Sequence, residues 1–510
     1  MTSKSHISLW SMFARHFNLH PKSIDFAAKN SEARGPFFHT VQLPSLGKAV
    51  DRSLETGFLD FSDTLFKRMS KKINLPAFMN EKFILVFTKD GYLRHDAPAS
   101  VIKEIRQLLY LHYKFVTDFS DEARELAYNK FIETDRSVKD SFSVTDILDI
   151  EDDFNSLLPD NPFDIRGRHS NGATADKFNN VERKYVKRAL PVMGVFAFLF
   201  FNTPHHAEAY SGAHDIVKAS PTSRFTLVPK DSRGPRGICI EPHEHMFVQQ
   251  GIMSKLYEHI EKVSPARGYI NFTDQFTNQR LAQIGSLSQR YSTIDLKDAS
   301  DMVSWNLIQS LLPHDWLQAV SACRSARVDV NGKQISLKKF APMGSALCFP
   351  IEAMLFWSIC RTITPRVWVY GDDIIVEKEY FDDVIVALER YGLVINRDKS
   401  LHSGFFRESC GGEYYRGEDI SYIKCKSYDL ENYIAFANLI SSAYSSTLAD
   451  GIIGFYEVHE KQIIYREPLA NSKFRQPLVY YTEHVAASDV FFRKRWDVDL
   501  QRWSVRRLCV

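Results

Sequence analysis

Apolar residues recur along this chain at two different spacings, and the spacings predict which segments coil and which extend. Leu9, Trp10, Phe13 and Phe17 fall on one face of a helix, and helical periodicity returns over residues 102–115, 246–260 and 380–391. Met302, Leu307, Ile308, Leu311 and Leu312 predict another helix, with Ser300 or Asp301 able to cap its start and Pro313 to stop it. Residues 346–359 are apolar nearly all round, which predicts a buried helix, with Pro350 a possible kink. Lys82 to Thr88 followed by Asp90-Gly91 predicts a strand and turn, Asn331-Gly332 a hairpin turn, and Tyr291 to Ile294 a strand ending at Asp295. Two β-branched runs, from Val367 to Tyr370 and from Ile374 to Val376, flank Gly371-Asp372-Asp373 and predict a hairpin with an acidic turn. Beyond residue 426 the pattern is helical and mixed. The chain predicts an α/β (α+β) protein.

Composition narrows the class. With 510 residues and 44% hydrophobic content the chain can bury sizeable cores. Lys and Arg number 64 against 62 acids, so any nucleic-acid surface must be local rather than a global positive field. Seven scattered cysteines without a Cys-x2-Cys pair predict a reducing compartment. The longest apolar run, Ala189 to Phe201, holds Pro191 and Gly194 and is too short to span a bilayer, so no membrane segment is expected. The first 24 residues carry no acid and read as a docking helix rather than a targeting peptide. Asp146, Asp149, Glu151, Asp152 and Asp153 lack the glycine of a calcium loop and read as a solvated face. His243 and His245 around Glu244 read as surface or capping histidines, without zinc.

Chemistry concentrates in a few stretches. A doubled Asp between buried strands is costly unless a cation relieves it. Mg²⁺ favours a few carboxylate oxygens with phosphates, and two such ions about 4 Å apart can clamp an in-line phosphoryl displacement. Alone, Gly-Asp-Asp is better explained as a solvated loop tip; Asp295 supplies a third carboxylate if the strands pair. Lys230, Arg233 and Arg236 sit among Pro229, Gly234, Pro235 and Gly237, a stiff turn-rich loop displaying cations suited to a triphosphate. Arg183, Lys184, Lys187 and Arg188 suit either a phosphate backbone or solvent. The tail, with Arg493, Lys494, Arg495, Trp496, Arg502, Trp503, Arg506 and Arg507, reads as an RNA-following surface or as a basic helix with its tryptophans inward.

The ordered set Asp295-x5-Asp301, Met343-Gly344-Ser345 before an apolar helix, Tyr370-Gly371-Asp372-Asp373 and Lys399 resembles the palm motifs of RNA-dependent RNA polymerases. More narrowly, Val228 to Ser232, Ile240-Glu241-Pro242, Asp274-Gln275 with Asn278-Gln279-Arg280, and Phe406 to Gly411 resemble the replicase beta subunit of single-stranded RNA bacteriophages, over about residues 166–425. The resemblance implies a right hand: an N-terminal extension at 1–70, fingers at 71–241, a palm on an antiparallel sheet at 242–425 with a fingers segment near 271–290, and a thumb at 426–510. It implies two Mg²⁺ ions, with Mn²⁺ a substitute, on Asp295, Asp372 and Asp373, and Lys399 as candidate acid. Lys230, Arg233 and Arg236 would meet phosphates, Gly344 would let its loop approach a ribose, and Asp301 or Ser345 would read the 2′-hydroxyl. Cys348 and Glu352 stand where many such enzymes carry Thr and Asn, which leaves that reader open. Implied partners are template and nascent RNA, ribonucleoside triphosphates, elongation factors Tu and Ts and a ribosomal RNA-binding protein, in the cytoplasm of a bacterial host. The rival expectations are a reverse transcriptase and a non-catalytic RNA-binding protein.

Overall fold

Three antiparallel strands form the sheet on which the acidic residues sit, in the order Tyr291–Ile294, Asp373–Glu377, Val367–Tyr370. Ile294, Ile374, Val376, Val367 and Val369 point into the largest core, where the Cys348–Arg361 helix lies buried behind the sheet. Pro350 falls in that helix's first turn, where its missing N–H has no intrahelical partner to lose, so it demands no kink. The His243–Lys262, His314–Cys323 and Phe381–Arg390 helices complete this core. The computed structural model describes residues 3–170, 172–176, 195–196, 199, 222–232 and 234–460, and the backbone of four strands between 465 and 506. Arg183, Lys184, Lys187, Arg188, Arg233 and most of the 189–201 run lie outside the described residues.

A second core joins distant parts of the chain. Leu9, Trp10, Phe13 and Phe17, mostly from the Ser3–His16 helix, pack with residues 38–115 and with Tyr433, Phe436, Ile440 and Ile452 from the Leu430–Ala443 and Ser446–Glu460 helices. Residues on both sides of position 70 share this core, and the first helices bury their apolar faces against the later ones. Arg106, fully buried, ties the two together: it donates to Asp51 at 2.7 Å, Glu413 at 2.8 Å and the carbonyl of Ile420 at 2.7 Å. A third, small core lies under a four-stranded sheet ordered Gly234–Ile240, Thr222–Asp231, Arg327–Val330, Lys333–Ser336, against Phe131 of the Asp121–Ser137 helix.

Several local expectations change in the tertiary setting. Residues 82–88 fall in and after a helix, Asn80–Val86, because Phe83 and Val86 share its buried side while Ile84 and Leu85 face outward, a period of three rather than two. The helix after Asp301 is Trp305–Leu311, capped by Ser304, whose hydroxyl accepts the N–H of Leu307; Ala299–Met302 is a separate 3₁₀ turn. Asp146 is buried rather than solvated, completing a capping box with Ser143 and pairing with Arg390 at 2.6 Å. The tail forms strands, Arg493–Asp497 against Arg502–Arg506 with Trp496 opposite Trp503, not a helix. Among the described residues no helix is long and apolar enough to cross a membrane.

The second core also buries three histidines, His6, His39 and His112, with ring centroids 4.5 to 5.8 Å apart. Burial, then the neighbouring His6, pushes His39 down to about 3, and burial with its two neighbours pushes His112 well below the usual imidazole range. Below pH ~6.5 the unfolded chain therefore binds protons that the fold refuses, and these rings withdraw stability as pH falls. The acidic sheet acts in the opposite direction, so the comparison must cancel it. Between pH 6.5 and 5, the melting temperature of the wild-type chain should fall more steeply than that of a His39→Gln/His112→Gln variant; parallel slopes in calorimetry would refute this assignment.

Candidate functional site

The Val367–Tyr370 and Asp373–Glu377 strands pair Tyr370 with Asp373, leaving Gly371 and Asp372 as a two-residue turn. Gly371 has φ 60°, the left-handed region that glycine enters freely, and a Cβ there would lie 2.2 Å from the Phe349 ring. Asp372 is therefore lifted to an exposed tip, while Asp373 remains half-buried at the strand's edge. Ile374 pairs with Ile294, so Asp373 and Asp295 follow at the same end of neighbouring strands, close enough for Asp295 to repel Asp373. Asp295 thus meets an adjacent pair of acids distant from it in sequence.

Fixed donors hold two of them. Asn396 donates its amide to Asp295 at 2.6 Å, and the Asp295 main chain bonds Ser400 Oγ and the Asn396 N–H. The Asp373 carboxylate is met by the Ser409 hydroxyl at 3.4 Å. Burial pushes Asp295 up to about 6, against the pull of Lys399 and Asn396 and with help from Asp372 and Glu408. Asp373 rises to about 7 through burial, then repulsion from Asp372, Glu408 and Asp295. Glu352, buried on the Cys348–Arg361 helix, is driven well above its usual range by burial, Asp372 and Asp301. Among the described residues its Oε2 meets no hydrogen-bond partner. Carboxyls that crowd and repel in this way suit a divalent cation between them.

Two lysines flank the acids. Lys399 donates to Glu408 at 3.0 Å, and Glu408 first, then Asp295, raise its pKa against burial, so it holds its proton tightly. Lys339, wholly buried over the Phe131 ring, donates to Asp301 Oδ1 at 3.0 Å. Lys230 and Arg236 are both exposed, but they sit in the paired Thr222–Asp231 and Gly234–Ile240 strands, not in an irregular loop. Antiparallel pairing, Val228 opposite Arg236, supplies the stiffness there. Gly344, at φ 118°, presses against this hairpin rather than leaving room for a ribose: a Cβ would lie 2.0 Å from the Cys239 carbonyl, and the Cys239 N–H donates to Met343 at 2.8 Å. Ser345 is buried and donates to Gln249 at 3.1 Å. His243 and His245 are buried, not superficial. His243 lies 3.2 Å from Asp176 and 3.1 Å from Glu244, and these three bring ligand atoms within 4.8 Å of one another.

A family model described as "RNA replicase, beta-chain" matches residues 117–499, three quarters of the chain. This chain belongs to that family. The RNA-directed RNA polymerase beta chain of Enterobacteria phage fr is 38% identical over 265 residues, covering 50% of this chain and 47% of that protein. The Escherichia phage MS2 beta chain is 36% identical, covering 43% and 41%, and the beta subunit from Escherichia virus Qbeta is 32% identical, covering 50% and 44%. The chain thus aligns with about half the length of these relatives. A solved structure of the BmCPV RNA-dependent RNA polymerase at elongation state covers 71% of the chain and 35% of its own, at 11% identity and a TM-score of 0.35, too slight a likeness to argue from.

In this replicase-family chain the motif around Arg407 turns out to be architectural. Arg407 is fully buried, donates to the carbonyls of Tyr291, Gly404, Phe406 and His402 and pairs with Glu55 at 3.6 Å, so its role is to fasten backbone. Asn396, Glu408 and Lys339 were not legible as site residues, since a strand-end turn, a hairpin and a loop lysine carry no signal until they fold beside Asp295, Lys399 and Asp301. The raised carboxyls make a prediction about the metal-free chain. Because the folded Asp373 carboxyl titrates near 7 against 3.8 when unfolded, its ionisation removes stability as pH rises through that window. With chelator present, Asp373→Asn should melt higher than wild type at pH 8 and alike at pH 4; an equal or lower midpoint at pH 8 would contradict the crowding.

Proposed function

We propose that this chain is an RNA-directed RNA polymerase that adds ribonucleotides, directed by an RNA template, to an RNA 3′ end, and so copies a phage RNA genome. The observation that carries this reading is the convergence of Asp295, Asp372 and Asp373 on one sheet edge, in a chain of the replicase beta-chain family. The palm of a right hand would occupy residues 242–425, with fingers at 71–241 and near 271–290, a thumb at 426–510, and the segment 1–70 packed beneath the thumb.

Asp295 and Asp372, with Asp373 assisting, would hold two Mg²⁺ ions, for which Mn²⁺ is a substitute. When bound, such ions activate a 3′-hydroxyl and neutralise a triphosphate. Lys230 and Arg236, exposed on a stiff hairpin, suit the steadying of phosphates, and Arg233 belongs to the same turn of sequence. Lys399 suits electrostatic support of a departing pyrophosphate better than proton donation, since Glu408 keeps it charged. Asp301, fixed by Lys339, keeps a second oxygen for a ribose hydroxyl and is favoured over the buried Ser345. Template and nascent RNA and the four ribonucleoside triphosphates are the proposed partners; elongation factors Tu and Ts and a ribosomal RNA-binding protein follow from the family resemblance, as does a bacterial cytoplasm.

Purified chain given a short primed RNA, Mg²⁺ and ribonucleotides should extend it, whereas Asp372→Ala should not. Extension by that variant at near wild-type rate would overturn the assignment, and a preference for deoxyribonucleotides would favour the reverse transcriptase reading.

A further inference from the structure

One face of the Phe276–Ser288 helix carries a row of four side-chain amides, whose rungs end on three successive hairpins, two of them on the acidic one. Gln275, at its N-cap, donates to the Tyr370 hydroxyl at 3.1 Å; Asn278 to the carbonyl of Asp373 at 3.2 Å; Gln279 to the carbonyl of Cys410 at 3.0 Å; and Gln283 to the carbonyl of Gly417 at 2.8 Å. Steps of three and four residues keep these amides on one side. Gly285 lets the helix press onto the first strand, since a Cβ there would lie 2.7 Å from the Tyr291 carbonyl.

Two rungs close a ring around one acid. Gln279 fixes the Cys410 carbonyl, Ser409 beside Cys410 donates its hydroxyl to Asp373 Oδ1 at 3.4 Å, and the Asp373 carbonyl returns to Asn278, the neighbour of Gln279. Cys410 and Gly411, at φ 50° and 76°, form the two-residue turn between the paired Ser409 and Gly412. The same hairpin bears Glu408, the partner of Lys399. Asn278 is fully buried, and its other amide atom, Oδ1, meets no hydrogen-bond partner among the described residues. A buried amide left half satisfied is a poor device for stability alone.

We propose that Gln279 and Asn278 are positioning residues: they set the place of the Asp373 carboxylate, and through it the divalent-cation affinity of the acidic centre, without touching substrate. This rests on the polymerase reading for its consequence in synthesis, but its effect on cation binding does not. The two outer rungs, Gln275 and Gln283, hold the helix without meeting an acid.

The test compares isosteric variants of the full chain. Gln279→Glu turns the donor into a carboxylate facing a carbonyl, so the Cys410 turn is pushed off and Asp373 loses the Ser409 hydroxyl that this hairpin holds against it. Mn²⁺ affinity, read by electron paramagnetic resonance without RNA, should fall about tenfold or more, as when outer-shell partners of metal ligands are changed. Ribonucleotide incorporation should fall by up to about 100-fold, the loss that a displacement of about 1 Å can cause. Gln279→Lys, which keeps a donor, should restore most of both, and Gln283→Glu should leave both as in wild type. If Gln279→Glu does not fold, Gln279→Met removes the donor without adding charge and is read in the same way. Wild-type Mn²⁺ affinity in the Gln279 variants, or an equal loss in Gln283→Glu, overturns the proposal. If wild type makes no RNA yet Gln279→Glu still weakens Mn²⁺ binding, the polymerase reading fails and the positioning role stands.

Discussion

The constraint on which this structure depends is the repulsion among carboxyl groups held together in partial burial. Asp295, Asp372 and Asp373 share one sheet edge, and Glu352 faces them from the helix behind. Left to itself, such a cluster would move apart or take up protons, as the raised values of Asp295 and Asp373 record. What prevents separation is that each acid sits on, or next to the end of, a strand or helix packed in the main core, so moving the acid means unpacking Ile294, Ile374 or Ile351.

The surroundings of the acids are built from rigid, neutral donors rather than from cations. Amides of Asn278, Gln279 and Asn396 and hydroxyls of Ser400 and Ser409 fix the main chain and carboxylates at close range. Neutral donors hold geometry without cancelling the negative field of the carboxyls. The two lysines nearby are engaged separately, Lys399 with Glu408 and Lys339 with Asp301. Arg407, deep beneath the first strand, fastens the Cys410 hairpin to the Tyr291 carbonyl and so couples the two halves of the site.

The rest of the chain explains how a small sheet can be this stiff. The N-terminal helices and the helices after residue 430 share one core, with Arg106 bridging Asp51 to Glu413, so the hairpin bearing Glu408 is backed by both ends of the described chain. The basic hairpin with Lys230 and Arg236 is locked to the Met343 loop through Cys239 and Gly344. Glycine at 344 therefore serves contact between two backbones, a use that conformational freedom alone does not distinguish from contact with a ligand.

By itself the sequence determined whatever depends on neighbours along the chain: the acidic hairpin, whose turn needs glycine; the Asn331-Gly332 turn, with both residues at positive φ; the amphipathic helix at 381–390; and the ordered acids that mark the family. It could not decide the helix at 80–86, because β-branched residues favour a strand until a flanking core rewards a period of three. Nor could it reveal that Arg407 reaches the Tyr291 carbonyl, that His243 is buried against Asp176, or that Gln279 reaches Cys410, since these depend on residues more than sixty positions apart meeting in space. Local steric preference is written in each short stretch, whereas electrostatic partners are chosen only when the strands take their register.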